Sequence, residues 1–406
     1  MVRSSRNRLD LAIVFAVAVA TNFTYLILSN GDFYYPDSFT YLAPARSLLR
    51  GAGFLDESNL PETLRTPGYP LLLALFGAHT LPVIILQHLL NVALAVAIYQ
   101  FARSRTAALL FAVDVPTIHY ANKLLTETIF TVLLYVVFVL ALQRRPRPVL
   151  IGVLTGVMVL VRPIALFFFV PLAIVWAIRR VPMRQLAAYV AIALALPLGW
   201  AVRNKVRTGV FTVSSIGGIN MLTYRAAGAL AIEDEGDFRQ ALTDEENALV
   251  EDADDEIQRK LHISDAQELP QAVRANEYAS AGWRIIREHP ASFLQLTIRG
   301  VLMNLFDSDW DAIWDVSVLS PELLRLTFGA IPVIEFVFVT IGVIDLCKKD
   351  RALALLLTVI VVYFIGISAG GEAESRFRVP VVPQLVIAAG AGVRAVRRGL
   401  PAVEFP

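Results

Sequence analysis

Between Leu11 and Leu28 the chain reads LAIVFAVAVATNFTYLIL, without one acidic or basic side chain. A helix needs about 20 such residues to cross the hydrocarbon of a bilayer. Inside that hydrocarbon, backbone N–H and C=O groups are satisfied only by a helix or a closed barrel. Apolar runs, some carrying an isolated charge or a few, return near 82–102, 106–121, 124–142, 148–162, 164–178, 185–202, 325–346, 352–368 and 379–396. Apolar residues make up 56% of the chain and charged residues 17%, and the mean hydropathy is +0.60. Those values exclude a soluble globular domain, so the expected class is an all-α polytopic membrane protein. Ala18-Val19-Ala20 imitates a signal cleavage site, but the run outlasts a signal h-region and more spans follow, so it reads as a retained first helix.

Other classes fall away on charge and cysteine. The net charge of +1 and the scatter of basic residues in short clusters leave no surface for nucleic acid. One cysteine, Cys347, rules out an internal disulfide framework and every multi-cysteine metal or redox motif. His79, His88 and His119 lack metal-ligand spacing and read as structural.

Arginine marks the topology, because Lys and Arg in short loops stay on the cytoplasmic side. Arg3, Arg6 and Arg8 place the N-terminus inside, and Arg394, Arg397 and Arg398 do the same for the C-terminus. The loops carrying Arg103/Arg105, Arg144/Arg145/Arg147, Arg179/Arg180/Arg184 and Lys348/Lys349/Arg351 alternate accordingly. The expected layout has about ten helices in a cell membrane, with both termini cytoplasmic. It divides into a transmembrane module over 1–202 with a first outer loop at 30–81, an extracytoplasmic segment over 203–322, and C-terminal helices over 323–406. Within the middle segment, 293–306 is short and carries Arg299, which suits an interfacial helix. Thr243-x-x-Glu246 has the form of a capping box, and Leu249, Ala253, Ile257 and Leu261 recur every fourth residue beneath a solvated acidic face.

Charges collect at one level, near the outer ends of the spans. Asp37 lies in YYPDSFTY just past the first helix, Arg65 precedes the second, and Glu127 opens the fourth. Arg162 sits in a short outer connection, Arg203 and Lys205 end the seventh span, and Glu372, Glu374, Arg376 and Arg378 precede the last helix. Outer-side arginine runs against the usual bias and calls for an anionic partner. A sugar leaving a polyprenyl phosphate develops negative charge on that phosphate, which fixed guanidinium groups stabilise without a proton. The acceptor hydroxyl then needs one carboxylate base on the opposite face of the anomeric carbon, where a glycosidase needs two carboxyls. Each residue also has a plainer use. Asp37 can cap a helix starting at Ser38, Arg65, Arg162 and Arg376 can snorkel, Glu127 can answer the helix dipole, and Tyr34, Tyr35 and Tyr41 can serve as belt aromatics.

Taken in order, Asp37 after the first helix, then YLAPARSLLRGAGF, RTPGYPLLLALF, LQHLLNVALAVAIY, LLTETIF, GVLTGVMVLVRPIAL, RNKVRTGVFTVSSIGGINM, EHPASFLQL and ESRFRVPVVPQLVIAAG resemble the GT-C glycosyltransferases of the protein mannosyltransferase and aminoarabinose transferase type. The resemblance runs from about 10 to 398 and rests on order and spacing rather than on any one motif. It implies a GT-C fold and an inverting glycosyltransferase. The sugar would pass from a polyprenyl-phosphate donor to a lipid or glycan acceptor at the extracytoplasmic face, among membrane lipid. It implies Asp37 as the catalytic base and associates Arg65 and Arg376 with donor phosphate. The wider substrate-binding set expected with them is Tyr69, Glu127, Arg162 and Arg378. Some members carry a paired Asp-Glu after the first helix, whereas Ser38 follows Asp37 here. A divalent cation is the one cofactor the resemblance admits, and no metal ligand is assigned. The chain also ends soon after its last apolar run, without the soluble C-terminal domain of larger members, which favours a lipid or glycan over a protein acceptor.

Two other classes stay open at this point. A transporter or lipid flippase would explain many spans, but transporters place ionisable groups near mid-membrane and often in two related halves. A non-catalytic polysaccharide-assembly scaffold would use the acidic 233–256 stretch to hold a partner.

Overall fold

The computed structural model describes residues 2–234, 236–308 and 320–399. Residues 309–319 of the expected extracytoplasmic segment, and 400–406 of the C-terminal one, lie outside the described residues. Regular structure among the described residues is helical, apart from one isolated bridge between Leu55 and Pro61. The helices follow the chain as α1 (Val2–Leu28), α2 (Pro36–Leu49), α3 (Gly68–Leu75), α4 (Thr80–Ala102), α5 (Arg105–Ala112), α6 (Val115–Ala121), α7 (Glu127–Ala141), α8 (Pro148–Val161) and α9 (Phe169–Ile178). They continue as α10 (Met183–Thr208), α11 (Ile216–Asn220), α12 (Ala227–Ala231), α13 (Phe238–Leu261), α14 (Gln271–Glu288), α15 (Pro290–Phe306), α16 (Pro321–Lys349), α17 (Arg351–Ile367) and α18 (Val382–Gly399).

Five stretches among the described residues are long and apolar enough to cross a membrane: Asn7–Leu28, Thr80–Ala102, Met183–Thr208, Glu322–Lys349 and Ser375–Gly399. Four shorter apolar helices, Glu127–Ala141, Pro148–Val161, Pro163–Ile178 and Arg351–Ile367, accompany them. The apolar run at 106–121 is not one span. Asp114 accepts the Thr117 N–H at 2.9 Å and Pro116 follows at the start of the next turn, so the chain ends α5 and begins α6 there. The expected capping box at Thr243 is also displaced. Asp237 caps α13 six residues earlier by accepting from the N–H groups of Arg239 and Gln240, and Thr243 lies inside the helix. Of the four-residue repeat on that helix, Ala253 and Ile257 are buried, Leu249 is partly covered and Leu261 is exposed.

The main core gathers apolar faces of α1, α4, α5, α7, α8, α9, α10, α17 and α18. The closest helix contact joins α16 and α18. A Cβ on Gly342 would fall 1.9 Å from the Ala388 carbonyl oxygen, and one on Gly392 would fall 2.0 Å from that of Phe338. Small residues let two backbones meet, which is how helices associate where lipid is as apolar as leucine.

Polar contacts fasten the helix ends near the first loop. The His88 ring bridges Asn22 Oδ1 at 3.0 Å and Asn122 Oδ1 at 3.3 Å. Gln87 Nε2 donates to the carbonyls of Ala121 and Lys123, and Lys123 Nζ reaches Asp32 Oδ2 at 2.5 Å. A second cluster of buried residues, including Tyr41, Leu42, Tyr69, Leu73, Ile84 and Leu125, lies beneath α2. A third joins α13, α14 and the π-helical turn Met221–Ala226 through Leu222, Ile257 and Tyr278.

Candidate active site

Asp37 owes its position to the start of α2. Tyr35 is extended, Pro36 pre-sets the first helical turn, and Ser38 Oγ accepts the Tyr35 N–H at 2.9 Å. The carboxylate therefore stands inside the first turn rather than capping it, where free N–H groups and the helix dipole favour a negative charge. Its side chain keeps 31% of its surface open. Thr40, one turn on, donates to the Asp37 carbonyl at 2.7 Å and accepts from Arg65 Nε at 2.8 Å.

Arg65 arrives on a loop stitched to the far end of α10. Arg203 Nη1 donates to the Glu62 carbonyl at 2.7 Å and Nη2 to that of Phe54 at 2.8 Å, while Ser214 Oγ donates to the Leu64 carbonyl at 2.6 Å. So fixed, the Arg65 guanidinium lies 4.5 Å over the Tyr41 ring and puts Nη2 2.6 Å from Asp37 Oδ1. Tyr41 in turn rests edge-to-face on Tyr69, with 5.2 Å between ring centres, a contact that contributes about 0.5–1.5 kcal/mol beyond burial.

Arg376 comes from the other side, on the 3₁₀ turn Ser375–Phe377 that precedes α18. Its Nη1 lies 2.8 Å from Asp37 Oδ2, its Nε donates to Glu127 Oε1, and its guanidinium sits 5.0 Å from the Tyr35 ring centre. Glu127, the first residue of α7, is fully buried and also meets Arg162 Nη1 at 2.7 Å. The result is one chain of charges: Arg65, Asp37, Arg376, Glu127, Arg162. Three cations face two anions in it.

The surrounding groups set its electrostatics. Burial pushes the Asp37 carboxyl up, but Arg376 and Arg65 outweigh it and hold the group well below the usual carboxylate range. Tyr35 Oη points at Glu374, 3.3 and 3.4 Å from its two carboxylate oxygens. Burial raises the Glu374 carboxyl despite Arg376 beside it, so that acid is the weakest holder of negative charge in the group.

The structure does not bring every expected residue to Asp37. Arg378 is directed away: its Nη1 donates to the carbonyls of Leu305 at 2.6 Å and Asp307 at 2.9 Å, tying the end of α15 to the turn before α18. Tyr69 is wholly buried behind Tyr41 and donates to Gln87 Oε1 at 2.8 Å, so it forms a wall and not a ligand contact. Glu127, with no exposed surface, cannot touch a substrate either; it aligns Arg162 and Arg376. Tyr35, Thr40, Tyr41 and Glu374 join the site instead. Thr40 has a sequence signal, since it stands three residues beyond Asp37 and so on the same helix face.

The residues do not fit a divalent cation at Asp37. Both its oxygens lie within hydrogen-bonding distance of guanidinium nitrogens, and Ser38 is turned back toward Tyr35. Among the described residues, no group of three His, Cys, Asp or Glu side chains is close enough to hold a metal ion.

No model of a known protein family matches the chain, and no curated protein matches it in sequence. One solved structure similar to it is the archaeal oligosaccharyltransferase AglB from Archaeoglobus fulgidus, determined in complex with an inhibitory peptide and a dolichol-phosphate. The TM-score is 0.47 at 12% identity, over 99% of this chain and 53% of that one. The chain spans about half the length of that protein.

Proposed function

We propose that the protein is an inverting glycosyltransferase that moves a sugar from a polyprenyl-phosphate donor to a lipid or glycan acceptor at the extracytoplasmic face of a cell membrane, its termini being cytoplasmic. The observation that carries this reading is Asp37, partly open to solvent and gripped on each oxygen by a different arginine. Its neighbours are placed at one end of the helices: Glu127 opens α7, Arg162 closes α8 and Arg376 precedes α18. A cluster at helix ends suits surface chemistry on a lipid headgroup better than transport through mid-membrane. The division into modules at 1–202, 203–322 and 323–406 belongs to the same proposal.

In the transfer, the acceptor hydroxyl oxygen bonds to the anomeric carbon as the bond from that carbon to the phosphate oxygen breaks. The electron pair of that bond leaves with the phosphate, where Arg65 and Arg376 stabilise it. The hydroxyl proton passes to Asp37. A carboxylate held by two guanidinium groups is a weak base, so the donor has a second role. Its phosphate competes for Arg65 and Arg376, and an oxygen of Asp37 released from an ion pair becomes more basic. The base is thereby switched on by the donor.

The test is release of polyprenyl phosphate by purified protein from a panel of radiolabelled polyprenyl-phosphate sugars, with crude membrane extract as acceptor source. Release from one donor, lost in Asp37→Asn, is the expected result. No release from any donor by a folded sample removes the proposal.

A further inference from the structure

Across Arg65 from Asp37 lies a polar cleft of about 210 Å³, formed where α2, the first loop and the start of α14 converge. Its lining includes Thr40, Asp56, Glu57, Glu62, Gln271 and Arg274. The carboxylates of Asp56 and Glu57 and the buried carboxyl of Glu62 share the cleft with one guanidinium, which disfavours a phosphate or a phospholipid headgroup and separates this cleft from the arginine-rich side of Asp37. On two of the lining residues, Gln271 Oε1 and Arg274 Nε are buried with no hydrogen-bond partner among the described residues, while Arg274 Nη1 donates to Gln267 Oε1. Buried polar atoms are ordinarily satisfied, so an acceptor and a donor left over in one cleft point to a ligand carrying both functions.

We infer that this cleft is a binding subsite for an uncharged, hydroxyl-rich sugar ring, and naming that sugar the acceptor rests on the glycosyl transfer proposed above. Each sugar hydroxyl both donates and accepts. It can give its hydrogen to Asp56, Glu57 or Gln271 Oε1 and take one from Arg274. The volume lies below the roughly 300–1,000 Å³ of drug-sized pockets, which suits a single ring better than an extended chain. The cleft also communicates with the proposed base. The Arg65 N–H donates to Glu62 Oε1 at 2.9 Å while its guanidinium holds Asp37, and Thr40 lines the cleft while accepting from Arg65 Nε. A sugar seated there has its hydroxyls one side chain away from Asp37.

Saturation-transfer difference NMR on the full-length protein in detergent tests this, with methyl α-D-mannopyranoside, methyl β-D-galactopyranoside and methyl α-D-arabinofuranoside as probes. At least one glycoside is expected to receive saturation. Its binding should weaken about tenfold in a Glu57→Ala, Gln271→Ala double variant and persist in Asp37→Asn. No signal from any probe, a signal indifferent to the double variant, or one that vanishes with Asp37→Asn overturns the assignment. Donor consumption, read separately as released polyprenyl phosphate, tells the two proposals apart. A protein that consumes donor but binds no glycoside here loses the cleft, whereas one that binds the glycoside here and consumes no donor keeps the sugar site and loses the transfer.

Discussion

Arg65 and Arg376 divide the Asp37 carboxylate between them, Nη2 of the first 2.6 Å from Oδ1 and Nη1 of the second 2.8 Å from Oδ2. One guanidinium comes from the first loop and the other from the turn before the last helix, so the two ends of the chain meet on one side chain.

Asp37→Asn removes the proposed base from that arrangement. The amide keeps the shape and is partly solvated, so folding survives, but it cannot take a proton from an acceptor hydroxyl. Transfer should fall about 10²- to 10⁴-fold, the contribution of a positioned general base. The check is initial rate of polyprenyl-phosphate release at equal thermal stability. A rate within threefold of the parent would remove Asp37 from the base role.

Arg376→Ala and Arg378→Ala should differ in their effect on donor binding, although the two lie on one short turn. Arg376 faces Asp37 and Glu127, whereas Arg378 is spent on the carbonyls of Leu305 and Asp307. Loss of Arg376 should weaken retention of a polyprenyl phosphate on the purified protein by tenfold or more, about the effect of one charge-assisted contact. Loss of Arg378 should lower the unfolding temperature and leave that retention unchanged. Binding of the labelled lipid and a thermal scan on both variants decide it.

What the sequence could reveal divides along a physical line. Asp37, Arg65 and Arg376 are visible as charges out of place at helix ends, because hydropathy and arginine bias locate them without knowledge of contacts. Arg378 is indistinguishable by that measure. A 3₁₀ turn advances about 120° per residue, so residues two apart leave it in different directions, and only the backbone reveals which one faces the site. Glu127 was visible as a charge, but its complete burial arises from α8 and the turn before α18 closing over it. The polar cleft was not visible, since it is made by segments near 40, 57 and 271 that meet only in three dimensions. Hydropathy foresaw apolar helices along most of the expected runs, five of them long enough to cross a membrane among the described residues, and it failed at 106–121 because Asp114 and Pro116 outweigh hydropathy locally.

Glu127→Gln should be the most damaging conservative change in the site. The carboxylate is fully buried between Arg162 and Arg376, and neutralising it takes the carboxylate partner from Arg162 and leaves Arg376 with Asp37 alone. Breaking a buried pair in this way costs about 3–5 kcal/mol. A large drop in the unfolding temperature in detergent is expected, with donor binding lost in parallel. An unchanged melting curve would show that the network contributes little to the fold.

Gly342 and Gly392 offer a test of the helix contact beneath the site. Alanine at either would put a methyl within 2.0 Å or less of a facing carbonyl oxygen, closer than any packed carbon approaches, so α16 and α18 would have to separate. Both variants should unfold at lower temperature than the parent, whereas Gly366→Ala, where nothing lies within 4 Å, should not. Equal melting of all three would mean that the two helices do not meet as described.

Glu62 ties stability to pH. Burial pushes its carboxyl up to about 7 despite hydrogen bonds from the Arg65 and Leu64 N–H groups, against about 4.5 in the unfolded chain. A raised acid binds its proton more tightly when folded, so its contribution is fully present below about pH 4.5 and is lost as pH rises toward about 7. Glu62→Gln keeps the oxygen that accepts the Arg65 N–H and never ionises. The variant should therefore lack this decline and melt higher than the parent at pH 8, while the two converge near pH 4.5. Melting temperatures measured for both proteins across that interval decide the point. Parallel curves would show that Glu62 stays ionised in the folded protein, and that the loop carrying Arg65 is held without a proton on it.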